Sequence, residues 1–74
     1  MIPIKEFLNK IKWSGKFDPK IITIFYYDRI LNKLIPVKYE NIKIDKDFLI
    51  VEDKQIPLHR VREIRSRNII IWKR

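Results

Sequence analysis

Cysteine is absent from the 74 residues, and glycine and histidine each occur once. The first absence excludes a disulfide framework and thiolate metal sites, and small secreted domains usually depend on disulfides. A reducing compartment, the cytoplasm, is the expected setting. One glycine, Gly15, cannot build the glycine-rich phosphate loop of nucleotide hydrolases. One histidine without cysteine cannot supply the three or four ligands of the usual zinc sites. Asp45 and Asp47 could pair on magnesium, but Asp-Lys-Asp between strands reads as a solvated turn, so neither metal nor cofactor is expected. No run approaches about 18 consecutive apolar residues, and Met1-Ile2-Pro3-Ile4-Lys5-Glu6 lacks the charged-then-apolar layout of a signal peptide. Neither a membrane span nor a leader is expected.

Acidic residues are also scarce, nine against seventeen Lys and Arg, for a net charge of +8. The excess is segregated. Residues 1–20 carry five lysines against two acids, residues 21–58 six of each sign, and residues 59–74 six basic residues against Glu63 alone. A polyanion partner requires a basic face of this kind. The rival reading is a composition bias of an AT-rich or heat-adapted genome, in which charge is enriched for other reasons. Hydrophobic residues make up 46% of the chain, sixteen of them isoleucine. That is enough branched apolar material for one core and argues against disorder, while the length admits one domain, residues 1–74.

Ile4, Phe7, Leu8 and Ile11 fall at i, i+3, i+4 and i+7 with polar residues between them, which predicts an amphipathic helix over about residues 3–13. Pro3 suits its first turn, Glu6 and the pair Lys10 and Lys12 complement its dipole, and Gly15 supplies a left-handed stop. The β-branched and aromatic run Ile21 to Tyr27 predicts a buried strand. Asp28 to Lys33 is a polar connection, and Pro36 puts the following strand at a sheet edge. Ile42 to Val51 reads as strand across Lys46-Asp47, Glu52-Asp53-Lys54 as a hairpin turn, and Gln55 to Leu58 as its return. His59 to Arg62 forms a short corner before Glu63-Ile64-Arg65, and Ile69 to Trp72 closes the sheet after Ser66-Arg67-Asn68. The expected fold is α+β: an N-terminal helix packed on about five short antiparallel strands, a small, partly open barrel.

Several side chains invite a chemical reading. His59 with Arg60 and Arg62 offers planar guanidinium forks and an imidazole N–H suited to phosphate, although a lone histidine at a strand corner can equally serve the backbone. Tyr27, Asp28 and Arg29 end the first strand, where an aromatic could stack a base and the carboxylate could aim the arginine at phosphate; a surface ion pair over core tyrosines is the alternative. Lys12-Trp13 closes the helix, with the indole either in the core or stacked on a nucleotide. Trp72 and Phe48 are expected in the core. Metal-free cleavage of RNA commonly uses a general acid and a general base, and only one histidine is present.

Three segments together carry a resemblance: Leu8-Asn9-Lys10-Ile11-Lys12-Trp13, Tyr27-Asp28-Arg29, and Ile56-Pro57-Leu58-His59-Arg60-Val61-Arg62-Glu63-Ile64 with Ile71-Trp72-Lys73-Arg74. The chain resembles a stand-alone archaeal member of the RNA cyclic-group end recognition domain family over nearly its whole length. The resemblance implies a module for RNA ends bearing a 2′,3′-cyclic phosphate or related group, found elsewhere joined to RNA ligase, phosphoesterase or nucleotidyltransferase domains. The family's polar positions fall on Trp13, Asp28, Arg29, His59 and Arg60. Ser14 departs from an expected acid, and Ser66-Arg67-Asn68 replaces a glycine-containing turn.

The expected function is an accessory binder of the RNA 3′ end rather than an enzyme. His59, Arg60 and Arg29 would hold the terminal phosphate, Tyr27 or Trp13 would stack the last base, and Asp28 would orient Arg29. Basic residues from both chain ends, Lys12 and Arg62 among them, would follow the backbone, with an RNA ligase or phosphoesterase as protein partner. The alternatives are a metal-independent phosphodiesterase using His59 and a protein-interaction module without RNA affinity.

Overall fold

The apolar stripe forms the first element of the structure, a computed structural model that describes residues 2–74. Helix α1, Ile4–Ser14, buries Ile4, Phe7, Leu8 and Ile11, and Pro3 stands just before it with its carbonyl accepting from the Phe7 N–H at 3.0 Å. Gly15 ends the helix at φ 70°, a conformation that costs glycine nothing. Trp13 is 77% exposed, which overturns the expectation of core packing. At 100° per residue it lies some 200° around the helix from Ile11, opposite the buried stripe.

Seven strands follow where about five were expected: β1 Ile22–Asp28, β2 Lys33–Lys38, β3 Ile42–Asp45, β4 Phe48–Val51, β5 Lys54–Pro57, β6 Val61–Ser66 and β7 Ile69–Lys73. The difference lies in the turns. Lys46-Asp47, Glu52-Asp53 and Arg67-Asn68 each close a two-residue hairpin, and Lys46, Glu52 and Arg67 take φ of 53°, 56° and 59°. A left-handed first loop residue matches the twist of paired strands, and glycine or asparagine ordinarily advertises it. Lysine does not, so Ile42 to Val51 read as continuous, whereas the turns at Glu52-Asp53 and Arg67-Asn68 fall where Glu52-Asp53-Lys54 and Ser66-Arg67-Asn68 were expected.

The strands make an antiparallel four-stranded sheet in the order β2-β1-β6-β7 and a three-stranded meander β3-β4-β5. Pro36 lies in β2, at an edge as its missing N–H requires. The two sheets and α1 enclose one core with Leu8, Ile22, Ile24, Leu49, Val61 and Ile64 at its centre and Trp72 against it. The architecture is α+β with partly open sheets. Phe48 is 39% exposed and is not the core residue expected of it, because its neighbour Leu49 takes the inward position of β4 and alternation turns Phe48 out.

An irregularity in β6 controls which side chains share a face. Phe25 pairs with Glu63, but the adjacent Tyr26 pairs with Val61, leaving Arg62 as an extra residue. Such a bulge breaks strict alternation, so Val61 and Ile64, three apart, are both fully buried. Without it, Val61 would share its face with Glu63 and Arg65.

The chain ends are bound into this framework. The Trp72 indole N–H donates to the Ile2 carbonyl at 2.7 Å. The Arg74 guanidinium lies 5.4 Å over the Trp72 ring and donates to the carbonyls of Val61 at 3.0 Å and Leu58 at 3.3 Å. These are the carbonyls around the 3-10 turn Leu58–Arg60, between β5 and β6. Arg74 was expected to follow an RNA backbone; its donors are instead spent on this corner. No helix is long and apolar enough to cross a membrane among the described residues.

Two outcomes are expected. Arg74→Met keeps an apolar stem over Trp72 but leaves two carbonyls without their charged donor, and should lower the unfolding free energy by about 1–3 kcal/mol in urea titrations. The Tyr39 hydroxyl, which donates to the Leu8 carbonyl at 3.4 Å, is pushed above its usual value near 10 by burial. Below that pH the group is protonated folded and unfolded alike. Above it the unfolded chain ionises first, so stability should fall as the pH rises past 10, and Tyr39→Phe should remove that part of the loss in melts at graded alkaline pH.

Candidate functional site

The turn between β1 and β2 is built on Asp28. Its Oδ1 accepts from the backbone N–H of Ile30 at 2.9 Å and of Leu31 at 3.1 Å, and Asn32 closes the turn at φ 54°. A short carboxylate bonding two and three residues ahead is the usual way such a turn is held. The Asp28 carboxylate therefore shapes the loop that carries Arg29 and forms no ion pair with its guanidinium, as the sequence reading had it. The Tyr27 hydroxyl donates to the Asn32 side-chain oxygen across the base of the same turn, fixing the ring.

This turn faces β5 and the 3-10 corner that Arg74 holds. Between them lies a cavity of about 340 Å³. Tyr26, Tyr27, Asp28, Arg29 and Ile30 form one wall, and Lys54, Gln55, Ile56 and Arg60 the other. A shallower depression joins Arg29, Ile30 and Arg60 directly. The Arg62 guanidinium stands 5.9 Å over the Tyr27 ring at its margin. Among the described residues the ion pairs are Lys5 with Asp47 and Arg65 with Glu63, so Arg29, Arg60, Arg62 and Lys54 keep their charge for the solvent. With the one carboxylate in the wall engaged by backbone N–H groups, the cavity is electropositive, and its guanidinium forks suit a phosphate oxyanion.

The structure thus brings together Tyr27, Asp28, Arg29 and Arg60, with Arg62 beside them. His59 is exposed on the same corner as Arg60 but does not line the cavity. Lys12 and Trp13 do not join the group. The Lys12 ammonium lies 5.7 Å over the Trp13 ring, and Lys12 lines a separate cleft with Lys5, Lys43 and Lys46 between α1 and β3. Lys54 and Gln55 escaped the sequence reading, which took the first as part of a turn and the second as plain strand. β5 belongs to the other sheet, so only the packing of the two sheets carries them to the cavity. No group of three or more His, Cys, Asp or Glu able to hold a metal ion occurs among the described residues.

Comparison with known proteins places the whole chain. The model of the MJ1316 RNA cyclic group end recognition domain matches residues 1–74. A UPF0248 protein of Methanococcus maripaludis is 35% identical, with 96% of this chain and 99% of that protein covered. A UPF0248 protein of Metallosphaera sedula is 33% identical over 96% of this chain and 91% of its own length. No solved structure matches the chain. With the family model matching from end to end and archaeal relatives covered over nearly their whole length, the chain belongs to the RNA cyclic group end recognition domain family.

Proposed function

We propose that the protein binds RNA termini, holding a terminal phosphate or 2′,3′-cyclic phosphate in the cavity between the β1–β2 turn and the Leu58–Arg60 corner. Arg29 and Arg60 grip the phosphate oxygens, Lys54 adds charge, and the Tyr27 ring offers a stacking surface for the last base beside Arg62. His59 supplies a further N–H at the rim. Lys12 and Trp13, on another face, lie outside the end site. The family's description, RNA cyclic group end recognition, supports this reading. The observation that carries it is that guanidinium groups from two distant stretches of chain, Arg29 and Arg60, line one open depression with an aromatic ring beside it. The same reading makes the protein an accessory module in cytoplasmic RNA repair or processing, acting beside an RNA ligase or phosphoesterase.

The test is a titration of one short RNA prepared with a 3′ hydroxyl, a 3′ phosphate or a 2′,3′-cyclic phosphate. The phosphate-bearing ends should bind about tenfold or more tightly than the hydroxyl end, the value of a charge-assisted hydrogen bond or two. Arg60→Ala and Arg29→Ala should each erase most of that preference, and affinity should fall as salt rises. Equal affinity for all three ends would sink end recognition and leave general RNA binding. Conversion of the cyclic end, abolished by His59→Ala, would instead make the protein a phosphodiesterase.

A further inference from the structure

On β1, the residues turned away from the core are Thr23, Phe25 and Tyr27, since Ile22, Ile24 and Tyr26 are buried. Phe25 and Tyr27 are half-buried, and neither packs against the core cluster. Their rings form a row on the outer face of the four-stranded sheet, spaced by about 7 Å, the two-residue repeat of a strand. Each is topped by a guanidinium: Arg65 stands 4.8 Å over Phe25 and Arg62 5.9 Å over Tyr27. The bulge puts an arginine over the second ring, because it adds Arg62 to β6 opposite the boundary of Phe25 and Tyr26. Lys38, across from Thr23, and Lys73, across from Glu63, border the row. The Glu63 carboxylate and Arg65 neutralise one another at 2.5 Å, so among the described residues the charge left unopposed on the face is that of Arg62, Lys38 and Lys73.

We infer that this face is a platform for single-stranded RNA, on which the nucleotides leading to the terminus lie along β1 with successive bases on Tyr27 and Phe25. The inference rests on the end-binding reading for its direction, because the ring row runs straight into the end cavity, with Tyr27 common to both. Every base has a π face, so two aligned rings select for unpaired nucleotides without selecting sequence. Arg62 gives way to a base and turns to a phosphate, Arg65 stays on Glu63 and extends the Phe25 surface with its guanidinium plane, and Lys38 and Lys73 follow the backbone outward. A protein partner is disfavoured by the same charges, because a docking core is depleted of them. Paired RNA is disfavoured too, because its bases are sealed in the helix and offer no face to stack.

Phe25→Leu tests this, since leucine keeps an apolar strand residue and removes the π surface. The probes are uridine 3′-phosphate, a single-stranded decauridylate with a 3′ phosphate, the same ten-mer with a 3′ hydroxyl, and the ten-mer annealed to oligoadenylate. Phe25→Leu should weaken the single-stranded ten-mer about five- to tenfold and leave uridine 3′-phosphate unchanged. A Phe25→Trp variant should bind as the unsubstituted protein does and show emission quenched by the ten-mer beyond that of the unsubstituted protein. Unaltered ten-mer affinity in Phe25→Leu, or annealed RNA bound as tightly as single strands, would overturn the platform. The two readings fail separately. If end recognition is wrong, Phe25→Leu still weakens the hydroxyl-ended ten-mer; if the platform is wrong, the preference for phosphate ends survives in Phe25→Leu.

Discussion

The extra residue in β6 governs how this small domain divides its surface from its core. Inserted opposite the boundary between Phe25 and Tyr26, Arg62 lets Val61 and Ile64 both reach the interior, while Glu63, itself only 7% exposed, stays with its partner Arg65 on the other side of the sheet. A regular strand would force a choice between a buried valine and a buried isoleucine, or drag Glu63 into the core beside Val61, where an unpaired carboxylate is expensive. The bulge removes that conflict. It also concentrates three charged residues of β6 on the side occupied by Phe25 and Tyr27, so one backbone irregularity serves packing and electrostatics together.

Charge in this molecule is sorted by what its donors reach. Arg74 has its guanidinium on two backbone carbonyls and a tryptophan face, and Arg65 is matched by Glu63. Arg29, Arg60 and Lys54 have no such partners among the described residues, and these line the cavity. The corner carrying His59 and Arg60 is only three residues of 3-10 turn, too short to hold its own shape. Its geometry is borrowed from the C-terminal arginine, which makes the Trp72-Lys73-Arg74 segment a supporting brace for the site.

The parts of the fold that depend on a local period were legible in the sequence. The apolar stripe of α1, its glycine stop, the buried β1 and the edge position of β2 follow from spacing, from Gly15 and from Pro36. The division of Ile42 to Val51 into two strands was not legible, because Lys46 adopts a left-handed turn that its side chain does not announce. The bulge at Arg62 leaves no mark on an alternation pattern that already mixes apolar and charged residues. At the candidate site, Tyr27, Asp28, Arg29 and Arg60 were legible as residues able to meet phosphate and bases. Their juxtaposition with Lys54 and Gln55 comes from the packing of the β3-β4-β5 sheet beside the end of β1, which composition does not encode. Trp13 shows the reverse: the same helical period that found the buried stripe, applied two residues further, puts the indole in water.

The bond from the Trp72 indole to the Ile2 carbonyl joins groups 70 positions apart. An isolated eleven-residue helix is marginal in water, and α1 leans on strands from throughout the chain for its buried face. During synthesis α1 is therefore made before the seven strands and secured only once β7, which carries its anchor, has emerged. Contacts of such long range favour late, all-or-none acquisition of the native state over stepwise accretion from the amino terminus.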